Sequence, residues 1–418
     1  MDRFGEKVCC NPTVKLKKQG VCPLIDIDKI TPGNKTVRSV ESVEYTGQGG
    51  VKFQDHDILF ARITPCLENG KVAIADTDGQ NGIGSTELFV FRGIDGITDT
   101  DYIFYLLCMK HIRQLAANSM TGASGRQRAD LKFIKRIQWT FPDIITQKRI
   151  ASILSAYDDL IEVNNKRIKV LEQMAENLYK EWFVRFRFPG HETAEFEEGK
   201  LGRIPASFSI IKMRDALKYY IGGGWGNDDE DKDYPVEAYV IRGTDFPQVS
   251  RGDVSSCPLR YHKKSNYVAR ELKPDDIILE VSGGTADQPV GRTLLVTGDI
   301  LERLGGKVIC ASFCKQLRVN KDVVSPIYFY FWMQFLYETR IIDKFQLQST
   351  GIINFQFEYF LRKGDLMLPP KEIMDSFDTL VRPLFKEMAS VARKNANLTK
   401  QRDLLLPRLM SGKLEVAS

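Results

Sequence analysis

One stretch in the C-terminal half of the chain has the acidic spacing of a metal-dependent nuclease. Asp275 precedes Glu280 by five positions, and Ser282 follows. In such enzymes carboxylates hold the metal ion that activates the nucleophile, and a nearby Lys positions it. Ser282 stands where that Lys belongs, and its hydroxyl carries no charge. The stretch therefore indicates no nuclease activity of the chain's own.

Other patterns that carry catalysis or hold cofactors are incomplete. Asn11-Pro12 lacks the rest of the Asn-Pro-Pro-Tyr run of a DNA methyltransferase, and the phosphate-binding GxxxxGK[ST] loop is absent. Residues 222–226 are rich in Gly, but the acidic residues that follow would repel a phosphate. We interpret this run as a turn, with a minor role near DNA as the alternative. The sequence predicts a non-catalytic chain that holds no metal or cofactor.

The composition is that of a globular protein with a mild excess of basic residues. The chain has 418 residues and a net charge of +5, so two domains are expected, and nucleic-acid binding is permitted but not required. The N-terminus lacks the apolar core of a signal peptide, and the longest apolar run, residues 327–337, is too short to span a membrane. We expect a cytoplasmic protein without membrane contact.

The eight cysteines also fit that compartment. They show no paired CxxC spacing, and no His lies near Cys310 and Cys314, which are four positions apart. We interpret all eight as reduced thiols, with a zinc site as the less favoured reading.

Two long helical segments must position whatever the chain binds. Residues 143–185 contain no Pro or Gly, and apolar residues recur in alternating steps of four and three for about five heptads. At about 1.5 Å per residue, such a helix spans roughly 60 Å. One line of this seam carries Ile150, Tyr157, Asn164, Leu171 and Leu178, and the other carries Leu154, Ile161, Ile168, Ala175 and Trp182. The pattern predicts a helix packed along a partner helix.

The partner helix is expected near the C-terminus, where the same spacing returns. Pro383 should kink or delay this second helix. Its two lines carry Phe377, Leu384, Val391, Leu398 and Leu405, and Val381, Met388, Asn395, Arg402 and Leu409. Antiparallel pairing of the outermost layers places Asn164 opposite Asn395, where two amides in an apolar seam would fix the register. Two ordinary amphipathic helices on separate domains are the alternative.

A region of mixed α/β pattern precedes the first long helix. Strand-like runs at residues 23–27, 57–63, 71–74 and 87–91 are separated by Gly, Asp and Asn. Asp99 or Thr100 then caps a helix whose apolar face runs from Ile103 to Leu115, and residues 137–141 form a final strand.

A second region repeats the order of the first. Asp57-Ile58-Leu59 has a counterpart at residues 276–279, the helix at 102–107 has one at 326–331, and Thr121-Gly122 matches Thr350-Gly351. Each region ends in a Pro-containing strand exit and a heptad helix, so the chain is a tandem repeat with a long period.

Taken together, these parts resemble the DNA-specificity subunit of type I restriction–modification systems. The resemblance covers essentially the whole chain, although Pro383 and the short leader before the first region depart from the family's pattern. The matching pieces are residues 147–154 (QKRIASIL), 171–183, 202–205, 221–225 (IGGGW) and 409–416 (LMSGKLEV).

The resemblance implies an α+β fold. Two tandem mixed α/β target-recognition domains, related by pseudo-twofold symmetry, would be separated by two long antiparallel coiled-coil helices. The implied division is a first recognition domain at 1–142, a first spacer helix at 143–188, a connector at 189–204, a second recognition domain at 205–370, and a second spacer helix with a C-terminal tail at 371–418.

The resemblance also implies a function. Each recognition domain would read one half of a bipartite site in double-stranded DNA. The helices would set the gap between the halves and dock two methyltransferase subunits, to which endonuclease/translocase subunits are added. S-adenosylmethionine, ATP and Mg are then expected on the partner subunits and not on this chain.

DNA contacts would come from loops of the two regions, since Arg and Gln read base edges while Lys and backbone amides hold phosphates. The candidates in the first region are Thr121, Gly122, Arg126, Gln127 and Arg128, followed by Arg62, Thr64 and Lys71. Those in the second region are Arg260, Tyr261, Lys263, Lys264, Ser282, Thr285, Gln348, Thr350, Gly351 and Asn354. His262 is expected to be a surface group. The alternatives are solvated surface roles for these residues and, for the whole chain, a coiled-coil scaffold that does not read DNA.

Overall fold

The computed structural model describes residues 1–122, 126–284, 288–349 and 352–416. It is a mixed α/β structure whose residues form two compact units. The first unit contains Met1–Val163 and Asn397–Ser418, and the second contains Asn164–Ala396. Each unit therefore combines one α/β region with parts of both long helices.

The first unit is built on a five-stranded sheet that is buried on both faces. In the strand Ile58–Ala61, Ile58 and Phe60 join one apolar cluster, whereas Leu59 and Ala61 join another, because successive side chains of a strand point to opposite faces. The strand order is Val8–Cys10, Leu88–Gly93, Ile58–Ala61, Val72–Asp76 and Thr36–Arg38, and only the last pair is parallel. A four-stranded sheet has the order Glu41–Tyr45, Gly20–Ile25, Gly82–Gly84 and Val51–Phe53, and Asp2–Arg3 pairs with Gln138–Trp139.

Helices cover one face of this sheet. The expected start at Asp99 is confirmed, since its carboxylate accepts a hydrogen bond from the Tyr102 amide at 2.9 Å. The single helix expected along the apolar face is two helices, Thr100–Cys108 and Lys110–Asn118, because Met109 between them has an extended backbone. Short helices at Phe4–Lys7 and Leu131–Ile134 complete this region.

The second unit places several small sheets around a large apolar cluster. A four-stranded antiparallel sheet has the order Leu217–Gly222, Cys314–Val319, Ile277–Glu280 and Thr293–Leu295. Two three-stranded sheets have the orders Leu259–His262, Val236–Ile241, Val308–Cys310 and Ser282–Gly284, Ile352–Phe355, Gln346–Ser349. Two-stranded pairs are Phe196–Gly199 with Gly202–Pro205 and Ser209–Lys212 with Asp365–Leu368. The α-helices of this region are Phe246–Val249, Lys264–Arg270, Gly298–Arg303, Pro326–Glu338 and Phe357–Lys363.

The first long helix is α-helical over Ile144–Tyr179 and continues as a π-helix over Lys180–Val184. It begins where the sequence predicts, because the Asp143 carboxylate accepts hydrogen bonds from the amides of Ile145 and Thr146 at 2.9 and 3.0 Å. Side-chain oxygens at this position satisfy amides that have no partner inside the helix.

The second long helix spans Lys371–Met410 without interruption, so the expected alternative that Pro383 delays its start is wrong. Pro383 and Thr379 both lie on the exposed face of the helix. The Thr379 carbonyl, which loses its amide partner to the proline, therefore faces water and keeps a hydrogen-bond donor.

Within each unit the two helix segments contact each other along the predicted seam. In the first unit, Ile150 and Leu154 share an apolar cluster with Leu409. In the second unit, the Asn164 amide donates to the Asn395 side-chain oxygen at 2.8 Å. Every seam residue named from the sequence is buried or half-buried, and the expected amide pair is present.

Phe377 is the residue of the second helix whose truncation tests this packing. It is 0% exposed and its ring lies 5.1 Å from that of Phe183 and 5.7 Å from that of Phe331. Phe377→Ala should lower the free energy of unfolding of the second unit by about 3–5 kcal/mol, because it removes aromatic contacts and leaves a cavity. Leu380→Ala, at a 49% exposed position one turn away, is the matched control and should change it by less than about 1 kcal/mol. Urea unfolding of both variants measures the difference, and equal losses would contradict the packing described here.

Candidate nucleic-acid interface

The two groups of candidate residues in the first unit are neighbours in the structure. The Thr64 amide donates to the Gln127 carbonyl at 3.0 Å, and the Ala129 amide donates to the Arg62 carbonyl at 2.8 Å. The segment after the sheet strand that ends at Ala61 therefore lies along the basic loop. This arrangement brings together stretches that are more than sixty positions apart in the sequence.

The three basic-loop side chains differ in their freedom. Arg126 and Gln127 are exposed. The Arg128 guanidinium is not free to contact a ligand, because it forms a bidentate ion pair with the Glu87 carboxylate. Its Nη2 and Nε lie 2.6 and 2.8 Å from the two carboxylate oxygens. Its backbone also pairs with Thr121 in both directions. Arg128 therefore holds the base of the loop, and the forked donor that faces solvent is Arg126.

The other candidates of the first unit contact the protein itself. The Arg62 guanidinium lies over the Phe89 ring at 4.8 Å. The Thr64 hydroxyl donates to Glu68 at 2.8 Å, and the Lys71 ammonium donates to the Ile27 carbonyl at 2.7 Å. Lys71 therefore joins two segments of the fold instead of presenting its charge to a ligand. Gly122 has φ +126°, a conformation that favours glycine, at the exposed edge of the loop.

In the second unit, part of the basic stretch contacts neighbouring side chains. Arg260 forms an ion pair with Asp228, and its guanidinium lies over the Trp225 ring at 4.7 Å. The Tyr261 backbone pairs with Asn227 in both directions. Both lysines are exposed. The Lys263 ammonium lies 5.2 Å from the Tyr234 ring centre, and Lys264 is the first residue of a helix.

His262 corrects an expectation made from the sequence. It was expected at the surface, but it is 3% exposed. The strand Leu259–His262 alternates between its two faces, and His262 falls on the inner one. Burial holds the pKa of its imidazole below the usual value.

Ser282 and Asn354 lie on neighbouring strands, and the Ser282 hydroxyl donates to the Asn354 side-chain oxygen at 2.7 Å. Gln348 lies on the strand Gln346–Ser349, which pairs with the strand of Asn354. The structure thus brings these three positions to one small sheet. Thr285, Thr350 and Gly351 lie outside the described residues.

Trp225 belongs to the Gly-rich run interpreted from the sequence as a turn, and Asp228 was not singled out, yet both contact the basic stretch. Trp225 is 40% exposed and has Arg260 across its face. The available signal was an aromatic residue directly beside a run of glycines, followed by acidic residues. The spacing in the sequence could not reveal that Trp225 and Asp228 both contact Arg260.

The acidic spacing that opened the sequence analysis does not form a joint site. Asp275 contacts Lys321 at 2.6 Å and Arg382 at 3.1 Å, while Glu280 forms a bidentate ion pair with Arg292. Each carboxylate thus has its own cation. No group of three or more His, Cys, Asp or Glu side chains among the described residues could hold a metal ion.

The cysteines form no disulfide among themselves. All eight cysteines are free, as expected. Burial raises the pKa of the Cys108, Cys257 and Cys310 thiols to about 12, so these groups are protonated at neutral pH. In the part of the chain that the structure describes, no helix is long and apolar enough to cross a membrane.

The fold and these candidate residues define a mixed α/β protein with long helices and exposed polar loops, and comparison with known proteins shows what the chain is similar to. A family model described as the type I restriction modification DNA specificity domain matches residues 9–173. A type I restriction enzyme specificity subunit of Methanocaldococcus jannaschii is 24% identical over 78% of this chain and 72% of its own length. The HindI specificity subunit of Haemophilus influenzae is 25% identical over 88% of each chain.

Residues 9–173 thus match the type I DNA specificity domain, and the resemblance predicted from the sequence is confirmed. Among solved structures, a type I restriction–modification S subunit from M. genitalium is similar with a TM-score of 0.48 and 12% identity, covering 98% of this chain and 95% of the other.

The Glu87–Arg128 pair predicts a pH dependence of stability. Hydrogen bonds from Arg128 hold the pKa of the Glu87 carboxyl below its usual value. A depressed folded-state pKa stabilises the fold above the unfolded pKa of about 4.3, and that stability is lost as the pH falls through the folded value. Glu87→Gln should therefore unfold at lower urea concentration than the unsubstituted chain at pH 7, and the difference should shrink as the pH falls below about 4.3.

The control for this measurement is Glu44→Gln, an exposed position of the same unit, which should leave the pH profile unchanged. A Glu87→Gln profile parallel to that of the unsubstituted chain across the acid range would refute the role given to the pair.

Proposed function

We propose that this chain is the DNA-specificity subunit of a type I restriction–modification complex, in which each α/β region reads one half of a bipartite double-stranded site. The observation that carries this proposal is the match of residues 9–173 to the DNA specificity domain. That segment contains the exposed Arg126 and Gln127, whose planar groups suit bidentate contacts to base edges in the major groove. As a non-catalytic subunit, the chain selects the site on which its partners act.

The long helices are the proposed spacer between the two half-sites. The buried seam and the hydrogen bond between Asn164 and Asn395 support antiparallel packing in one register. A spacer with a single register holds a fixed length, and a fixed length on the protein corresponds to a fixed number of base pairs.

The same helices are the proposed docking surface for two methyltransferase subunits. Large apolar side chains on the α-helical part of the first long helix that lie off the seam are exposed at intervals of eight, seven, three, seven and four residues. These are Ile145, Ile153, Leu160, Val163, Val170 and Met174. An apolar stripe of this spacing suits a further helix of a partner. S-adenosylmethionine would be held by those partners, and ATP and Mg by the endonuclease/translocase subunits.

A coiled-coil scaffold that does not read DNA is the second candidate, because the same exposed stripe would serve any helical partner. The two functions differ in what the loops do. A scaffold has no need of sequence preference, so substitutions in the basic loop distinguish them.

Arg126→Ala tests base reading by that loop. If Arg126 makes a bidentate base contact, the variant should lose about 1–3 kcal/mol of preference at one half-site and none at the other. Binding of the complete complex to duplexes altered in either half, at constant salt, measures this. Arg136→Ala, an exposed Arg outside the proposed loop surface, is the matched control. An equal loss on all sequences would identify a phosphate contact, and an unchanged preference would remove Arg126 from the interface.

A heptad insertion tests the spacer. One heptad added to both long helices at the level of Asn164 and Asn395 keeps the seam in phase and lengthens each helix by about 10 Å. Since B-DNA rises about 3.4 Å per base pair, the half-sites should move about three base pairs apart, with the bases read in each half unchanged. The added base pairs also rotate one half-site about the duplex, so binding should weaken through the cost of twisting DNA.

Methylation sequencing of cells carrying the complete system reads the new gap directly. A heptad added to the first helix alone is the control, because it puts the two seams out of register and should destabilise the protein. An active double insertion that keeps the original gap would show that another element sets the distance.

A further inference from the structure

We infer that the buried ion pair between Asp158 and Arg402 positions the first α/β region on the long helices, and that it thereby sharpens selection of the gap between half-sites. The inference rests on the proposed function, because gap selection presupposes a bipartite DNA site. All residues involved belong to the first unit.

The pair joins four separate segments through two side chains. Asp158 is 7% exposed. Its carboxylate accepts a hydrogen bond from the Tyr105 hydroxyl at 2.5 Å and another from Nη1 of Arg402. The same Nη1 donates to the Gly33 carbonyl at 3.2 Å. Both long helices are thus linked to a helix and to a loop of the α/β region at one point.

A second polar link lies one turn away along the first long helix and the helix Thr100–Cys108. The Lys35 ammonium donates to the Ser155 hydroxyl at 2.8 Å and to the Asp101 carboxylate at 3.1 Å. Asp101 and Tyr105 are four residues apart on one helix, and Ser155 and Asp158 are three apart on the other, so each pair shares a helix face. Two links at different heights oppose rotation of one helix against the other, which a single link would allow.

Apolar packing cannot supply this orientation by itself. The cluster that contains Leu154 and Leu406 also joins the α/β region to the helices, but attraction between apolar surfaces has no preferred direction. Hydrogen bonds weaken steeply when donor and acceptor are misaligned. The apolar cluster therefore holds the region against the helices, and the polar links select its angle.

The position of Arg402 in the sequence supports this reading. It occupies a line of the seam whose other members, apart from Asn395, are the apolar residues Val381, Met388 and Leu409. A buried ion pair is commonly no more stabilising than apolar residues of similar volume. The charged Arg402 therefore contributes hydrogen bonds of defined direction, which a leucine or methionine at this position would not make.

The gap should respond to that geometry. If the first α/β region changed its angle to the long helices, its loops would move along the DNA axis. A movement of about 3.4 Å corresponds to one base pair. Without the directional links, the region would reach half-sites that are one base pair too near or too far. The bases read within the half-site would stay the same, because the loop that contains Arg126 is untouched.

A double substitution separates positioning from stability. Arg402→Met alone leaves the Asp158 carboxylate buried without its cation and should destabilise the first unit. Adding Asp158→Asn removes the remaining charge while an amide oxygen still accepts from Tyr105, so stability should recover. The complete complex with both substitutions should lose about tenfold in discrimination between the native gap and gaps one base pair longer or shorter, the change expected from one charge-assisted hydrogen bond.

The measurement is methylation by the complete complex of a duplex library whose gap varies in steps of one base pair, together with urea unfolding of each variant. The matched control is the exposed interhelical pair of Arg167 and Glu387, 2.8 Å apart in the second unit. Arg167→Met with Glu387→Gln removes an equal number of charges and should leave the gap profile unchanged.

Two results would overturn the inference. A double variant that keeps the native gap discrimination, or one whose discrimination recovers together with its stability, would reduce the pair to a structural contact. If the unsubstituted complex itself shows no gap preference, the proposed function fails and the inference fails with it, whereas failure of the double variant alone leaves the proposed function standing.

Discussion

Half-buried polar groups in a largely apolar seam are the constraint on which the structure depends. Leucine and isoleucine layers that repeat every seven residues pack almost equally well after a shift of one heptad. Asn164 and Asn395 remove that freedom in the second unit, since a shift would separate two amides that bond at 2.8 Å and leave each facing apolar neighbours. The amides thus fix one register among several that apolar packing alone would allow.

The same principle holds the α/β regions to the helices. In the first unit the fully buried Gln147 side chain accepts from the Asp99 amide and donates to the carbonyls of Ile97 and Pro142. In the second unit the Ser325 hydroxyl, which also caps its own helix, donates to Asp378 at 2.6 Å. Apolar clusters provide non-directional attraction between these segments, and the hydrogen bonds add contacts that depend on alignment.

Arginine has different roles among the candidate residues of the two units. Arg126 is exposed, whereas Arg128 and Arg260 are held by Glu87 and Asp228. The forked guanidinium suits a carboxylate of the protein as well as it suits a base edge. A basic residue in a loop therefore identifies a DNA contact only when the fold leaves its donors free.

The sequence by itself determined the features that depend on neighbours along the chain. Heptad spacing located every seam residue and the layer of the amide pair, because both follow from the period of one helix, and the candidate capping residues Asp99 and Thr100 located the start of the helix Thr100–Cys108. The tertiary structure alone decided which donors are free. The partners of Arg128, Arg260 and Lys71 lie 41, 32 and 44 positions away, and His262 is buried by a strand face that its own neighbours do not reveal. The uninterrupted helix at Pro383 has the same origin, since the cost of a proline depends on whether the carbonyl it frees faces water or the core.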